Sequence, residues 1–169
     1  MKVRTGFVSN SSSSSFVIAL DAMPESVAEL QALLFGDKLG YEHPYDDTGF
    51  VTQVVASQIF DRLSDKKPLS FNELVEEFSC GWLFWDQLEK EFPHKYTGTP
   101  EENQALYEKR DERNQELARE FATEFINKPE VTGKLLFEVE FSDNDSSIDS
   151  AIEHGTAFDA FPNVKISHH

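Results

Sequence analysis

The chain has 169 residues and carries 31 acidic against 15 basic side chains, a formal net charge of −16. Such a surface repels phosphate backbones and anionic lipid, which argues against direct nucleic-acid or membrane binding and leaves solubility or a basic protein partner. The length suits a single domain with its own core, the 15 Phe argue against disorder throughout, and the single cysteine, Cys80, allows no intrachain disulfide. One thiol points to a reducing compartment. The opening Met1-Lys2-Val3-Arg4 leads into polar and glycine residues with no apolar run, so no secretory signal is read and a cytoplasmic setting is expected.

In chain order, Gly6–Asn10 leads into five consecutive serines, Ser11–Ser15, and then Phe16. Apolar residues flank the serines on both sides, so the run is expected as an ordered loop between short extended pieces. Phe16–Leu20 reads as the first strand. Pro24 at a first helical position and Gly36 past the end frame a helix over Pro24–Phe35, with Val27, Leu30, Leu33 and Leu34 as its apolar stripe. Gly36–Asp47 reads as loop, and a second helix is expected from about Gly49 to Ser64.

A third helix carries a capping box, Ser70 with Glu73. The second and third helices have the order of a helix-turn-helix. The third, however, would offer a DNA groove Asn72, Glu73, Glu76 and Glu77 with no basic residue, which argues against that use. Gly81-Trp82-Leu83-Phe84-Trp85 is either a core plug or an exposed patch for a protein partner. Thr99-Pro100-Glu101-Glu102 opens a long helix to about Asn127. Its middle, Glu108–Glu116, lacks any apolar residue, so residues 100–116 are expected to project or to line a hydrated crossing.

Lys134–Phe141 alternates most clearly, with Phe137, Val139 and Phe141 on one side and Leu136, Glu138 and Glu140 on the other. It is taken as the organising strand. A short helix around Ser147–His154 and a last strand from Asn163 follow, and this strand–helix–strand order allows a parallel unit. The expected fold class is α+β: a small sheet of about three strands (16–20, 135–141, 163–168) covered by four main helices and one short one.

The opening K-V-R-T-G-F-V-S-N-S-S-S-S-S-F resembles the start of an uncharacterised group of small bacterial and phage proteins. The closing Lys165-Ile166-Ser167-His168-His169 is similar to the end of some of them. The likeness covers about a seventh of the chain and implies no activity, so no residue role follows from it. It makes a phage-associated, host-directed accessory role an expectation.

Two sets of residues have chemistry to offer. Asp143, Asp145, Glu153, His154, His168 and His169 bring carboxylates and imidazoles into the last forty residues, the donor types of a divalent-metal site. Asp143-x-Asp145-x-Ser147 starts like a calcium loop, but Ile148 replaces the required glycine and His154 the bidentate acid, which excludes an EF-hand. Lys2, Arg4 and Lys165 gathered beside Ser11, Ser12, Ser13, Ser14 and Ser15 are the candidates for an anion nest. Cys80, at a helix end, is disfavoured as a thiolate. His43 and His94 read as surface loop residues. The function expected first is non-catalytic binding of a basic partner. The alternative is a metal- or phosphate-ligand-binding protein or enzyme built from the Ser run and the C-terminal cluster.

Overall fold

Phe16-Val17-Ile18-Ala19-Leu20 has no polar residue to turn toward water, and such a run is stable only with both faces covered. The computed structural model describes residues 12–45, 47–93 and 98–168. Its strands are β1 (Ser13–Leu20), β2 (Gly40–Glu42), β3 (Gly49–Val51), β4 (Leu135–Ser142) and β5 (Asn163–Ser167). Its helices are α1 (Val27–Phe35), α2 (Thr52–Leu63), α3 (Phe71–Ser79), α4 (Trp85–Glu91), α5 (Pro100–Ile126) and α6 (Ser147–His154). The fold is α+β, with β4-β1-β5 as one antiparallel sheet and β2-β3 as a second, two-stranded one.

The middle of the main sheet is β1, and the alternating strand taken as its organiser, β4, lies at an edge. Because β1 is antiparallel to both neighbours, β4 and β5 run parallel to each other with β1 inserted between them. The parallel unit is therefore split. Phe16, Ile18 and Leu20 of β1 join Phe137, Val139 and Phe141 of β4 on one face, beneath α1, α2 and α6. Val17, Ala19, Leu136 and Ile166 form the other face, beneath α3 and α5. Each fully buried Leu, Ile or Phe in these two layers contributes roughly 1.5–3 kcal/mol over its exposed state.

The strongest helix signals hold. Both capping boxes form, Ser70 with Glu73 on α3 and Thr99 with Glu102 on α5. Elsewhere the boundaries move. The first helix starts at Val27, where the Ser26 hydroxyl accepts from the Glu29 amide at 3.2 Å. Residues 49–51 pair with 40–42 as a hairpin before α2 begins at Thr52, so part of the expected loop and the expected start of helix two are strand. Ser13–Ser15 are the first residues of β1 and not a loop.

From residue 110 on, one side of the polar middle of α5 packs against α3 and α4 while the other stays exposed. Arg110 is only 6 % exposed; its Nη1 donates to the Phe92 carbonyl at 2.5 Å and to Glu89 at 3.0 Å. Asn114 donates to the Ser79 carbonyl at 2.8 Å. Trp82 and Trp85 stack ring on ring at 4.4 Å with the Arg110 guanidinium over Trp85, and Trp82 stays 45 % exposed. Gly81, at φ +71, lets the chain pass so close to β5 that a side chain there would strike the Ser167 carbonyl.

The register sets the stage for chemistry. Ser13 faces Ser142 and Ser14 faces Ser167, so the start of β1 meets the ends of β4 and β5 at one end of the sheet. There α6 brings its own C-terminal turn.

Candidate metal centre

A strand turns alternate side chains to opposite faces, and this divides the serine run. Ser12 and Ser14 go to the α6 side and Ser15 to the α3 side. Ser12 lies just before β1, where its amide and hydroxyl donate to the two oxygens of Asp143 at 3.1 and 3.0 Å. The Ser12 hydroxyl also lies 2.9 Å from Glu153 Oε1 and 3.3 Å from His154 Nε2. The Ser14 hydroxyl donates to the same Glu153 oxygen at 3.1 Å. Ser14 and Glu153 are buried.

Counting hydrogens shows what is missing. The Ser12 hydroxyl has one hydrogen and lies within bonding distance of two carboxylates. Glu153 Oε2 is buried and has no hydrogen-bond partner among the described residues, while His154 Nε2 stands 3.7 Å from it. A buried carboxylate oxygen left unpaired costs roughly 1–3 kcal/mol or more. The geometry calls for positive charge at this point.

Asp143, Glu153 and His154 each place a ligand atom within 4.8 Å of the others. Two ligands at about 2.1 Å from one ion lie at most about 4.2 Å apart, so loading draws the widest pair inward. Two carboxylates, an imidazole and a hydroxyl without thiolate suit manganese, iron(II) or zinc better than copper(I), and the imidazole disfavours calcium and magnesium. The elements hold the ligands in place from behind. Asp143 follows β4 directly, the Asp143 amide donates to the Ser12 carbonyl at 3.2 Å, and α6 is capped by Ser146. The Tyr45 ring lies 5.1 Å from the His154 ring.

Other candidates are placed elsewhere. Asp145 is exposed and pairs with Arg62 at 3.3 Å. His168, on the opposite side of the sheet, has Nε2 2.8 Å from the Ser15 hydroxyl, and its amide donates to the Ser13 carbonyl at 2.9 Å. It cannot join the cluster, because β5 turns it to the α3 face together with Ile166. His169, like Lys2, Arg4, Ser11 and His94, lies outside the described residues.

Of the anion-nest candidates, three of the described ones have other partners. Ser12 and Ser14 spend their hydroxyl hydrogens on carboxylates, and Lys165 turns its ammonium to the Glu153 carbonyl at 2.6 Å, over the Phe16 ring. Burial pushes the Lys165 pKa down, against the pull of the Glu153 charge.

Nucleophilic catalysis finds no support in this geometry. Ser12 is buried, and the His154 nitrogen that faces it is the same one that faces Glu153, whereas a catalytic triad needs the acid on the other ring nitrogen. Desolvation, then the Glu77 and Glu76 charges, push the Cys80 thiol up. His43, read as a surface residue, is half-buried and ties the β2–β3 hairpin to α6: its Nδ1 accepts from the Tyr45 amide and its Nε2 lies 3.2 Å from the Ser150 hydroxyl. Among the described residues no helix is long and apolar enough to cross a membrane. No family model matches the sequence, and no curated protein or solved structure matches it significantly.

Proposed function

We propose that the chain is a divalent-metal-binding protein whose ion is held by Asp143, Glu153 and His154, with the Ser12 hydroxyl as a further neighbour. The observation that carries this reading is Glu153 Oε2, a buried carboxylate oxygen with no hydrogen-bond partner among the described residues, facing an imidazole nitrogen and beside a second carboxylate. The ion would supply positive charge beside the Glu153 carboxylate and would fasten the start of β1 to the end of β4 and to α6. Ser14 and Lys165 orient Glu153 from behind, the first through its carboxylate and the second through its carbonyl. Such supporting contacts are what hold metal ligands in geometry.

Calorimetric titration of the metal-free protein with Mn²⁺ and with Zn²⁺ tests it. One ion per chain is expected, with Glu153→Ala weakening it by more than the roughly 10–100-fold that loss of an outer contact costs. Absence of uptake at millimolar metal would sink the reading.

A further inference from the structure

A cleft of about 900 Å³ lies beside His154, between the C-terminal end of α6 and the β2–β3 hairpin. That is the size of a small-molecule site. Its wall is fixed. Phe35 and Tyr41, ring centres 5.6 Å apart, contribute the aromatic part, and the Tyr41 hydroxyl donates to the Ala151 carbonyl at 2.9 Å. Gly155 admits no side chain, because a Cβ would strike that hydroxyl and that carbonyl.

Of the three metal ligands only His154 lines the cleft. Its side chain is 20 % exposed while that of Glu153 is fully buried, so His154 is where the centre meets the cleft. An ion with three protein ligands keeps exchangeable positions, and a metal with an open position beside a pocket is the arrangement of a ligand-binding centre. The cleft also carries Lys38, whose ammonium has no ion-pair partner among the described residues, and against it Glu42 and Asp159. This mixture opposes a polyanion.

Resting on the metal reading, we infer that the cleft takes a small molecule presenting one oxyanion group to the ion and Lys38, on a cationic body that lies by Glu42 and Asp159. Phosphoethanolamine, a phosphate bearing an ammonium, is a probe of that class, and inorganic phosphate is the same oxyanion without the body.

The test is water-proton relaxation of the Mn²⁺-loaded protein, which reports water on the metal. Phosphoethanolamine at millimolar concentration is expected to displace that water and to bind more tightly than inorganic phosphate. Lys38→Ala is expected to weaken it about fivefold, the size of one exposed ion contact. Relaxation unchanged by phosphoethanolamine, equal affinity for inorganic phosphate, or an indifferent Lys38→Ala variant overturns the inference alone. Failure of the wild-type protein to take up Mn²⁺ overturns the metal reading and this inference with it.

Discussion

Glu153 concentrates the chemistry of this chain in one side chain. One of its oxygens is shared by two serine hydroxyls, and the other is buried with no hydrogen-bond partner among the described residues. Glu153→Gln keeps the shape and the accepting oxygen, and removes the charge. In the absence of metal this variant is expected to be more stable than wild type by about 1–2 kcal/mol, since the group that suffers from burial is gone. Wild type, by contrast, should gain about 2.7 kcal/mol from Mn²⁺ at a hundred times its dissociation constant, and the variant almost nothing. Urea unfolding with and without Mn²⁺ measures both; equal gains would remove Glu153 from the site. The residue types of this centre were legible in the sequence, since Asp143, Glu153 and His154 stood out as donors. Their separation from Asp145 and His168 was not. Asp145 is taken by Arg62, a residue 83 positions away, and His168 is assigned to the opposite face by the register of β5, which only the pairing with β1 defines.

At the scale of single elements, local rules predict well where the signal is itself local. The Ser70–Glu73 box is visible as a four-residue pattern and forms as such. Ser70→Ala is expected to cost about 1 kcal/mol at neutral pH, read from urea midpoints. Contacts with the Ser70 hydroxyl and amide hold Glu73 below its ordinary value of 4.5. A carboxylate with a depressed folded pKa stabilises above its unfolded value, and that contribution is lost as pH falls through the folded value. The gap between wild type and Ser70→Ala should therefore narrow on acidification below about pH 4.5; a gap that widens would contradict the cap. Elements whose cause is distant were not legible. The three-residue strands β2 and β3 have too few positions to show alternation, and they exist because each pairs with the other. The polar middle of α5 turns Arg110 inward because its guanidinium donates to the Phe92 carbonyl, just past the C-terminal end of α4, while stacking on Trp85. Polarity along α5 gave no hint of the Phe92 carbonyl waiting at the end of α4.

For the whole molecule the decisive quantity is the net charge of −16. Charge of one sign repels itself in the folded state, and salt relieves that repulsion by shortening the screening length from about 30 Å at 10 mM to about 8 Å at 150 mM. Raising NaCl over this range is expected to raise the melting temperature, because the ion pairs that salt weakens are mostly exposed and contribute little. Divalent ions screen as well, so stabilisation by Mn²⁺ is evidence for the centre only at matched ionic strength. Mg²⁺ is the control: it carries the same charge but favours an all-oxygen shell over one with an imidazole. At equal ionic strength Mn²⁺ should lift the melting temperature of wild type above both the NaCl and the Mg²⁺ values, by roughly 5–10 °C for a gain near 2.7 kcal/mol in a chain of this size. The double variant Asp143→Asn with His154→Ala should keep the response to NaCl and lose the excess. If Mn²⁺ and Mg²⁺ coincide in wild type, diffuse screening accounts for the effect, and the carboxylates at the end of the sheet hold no specific ion.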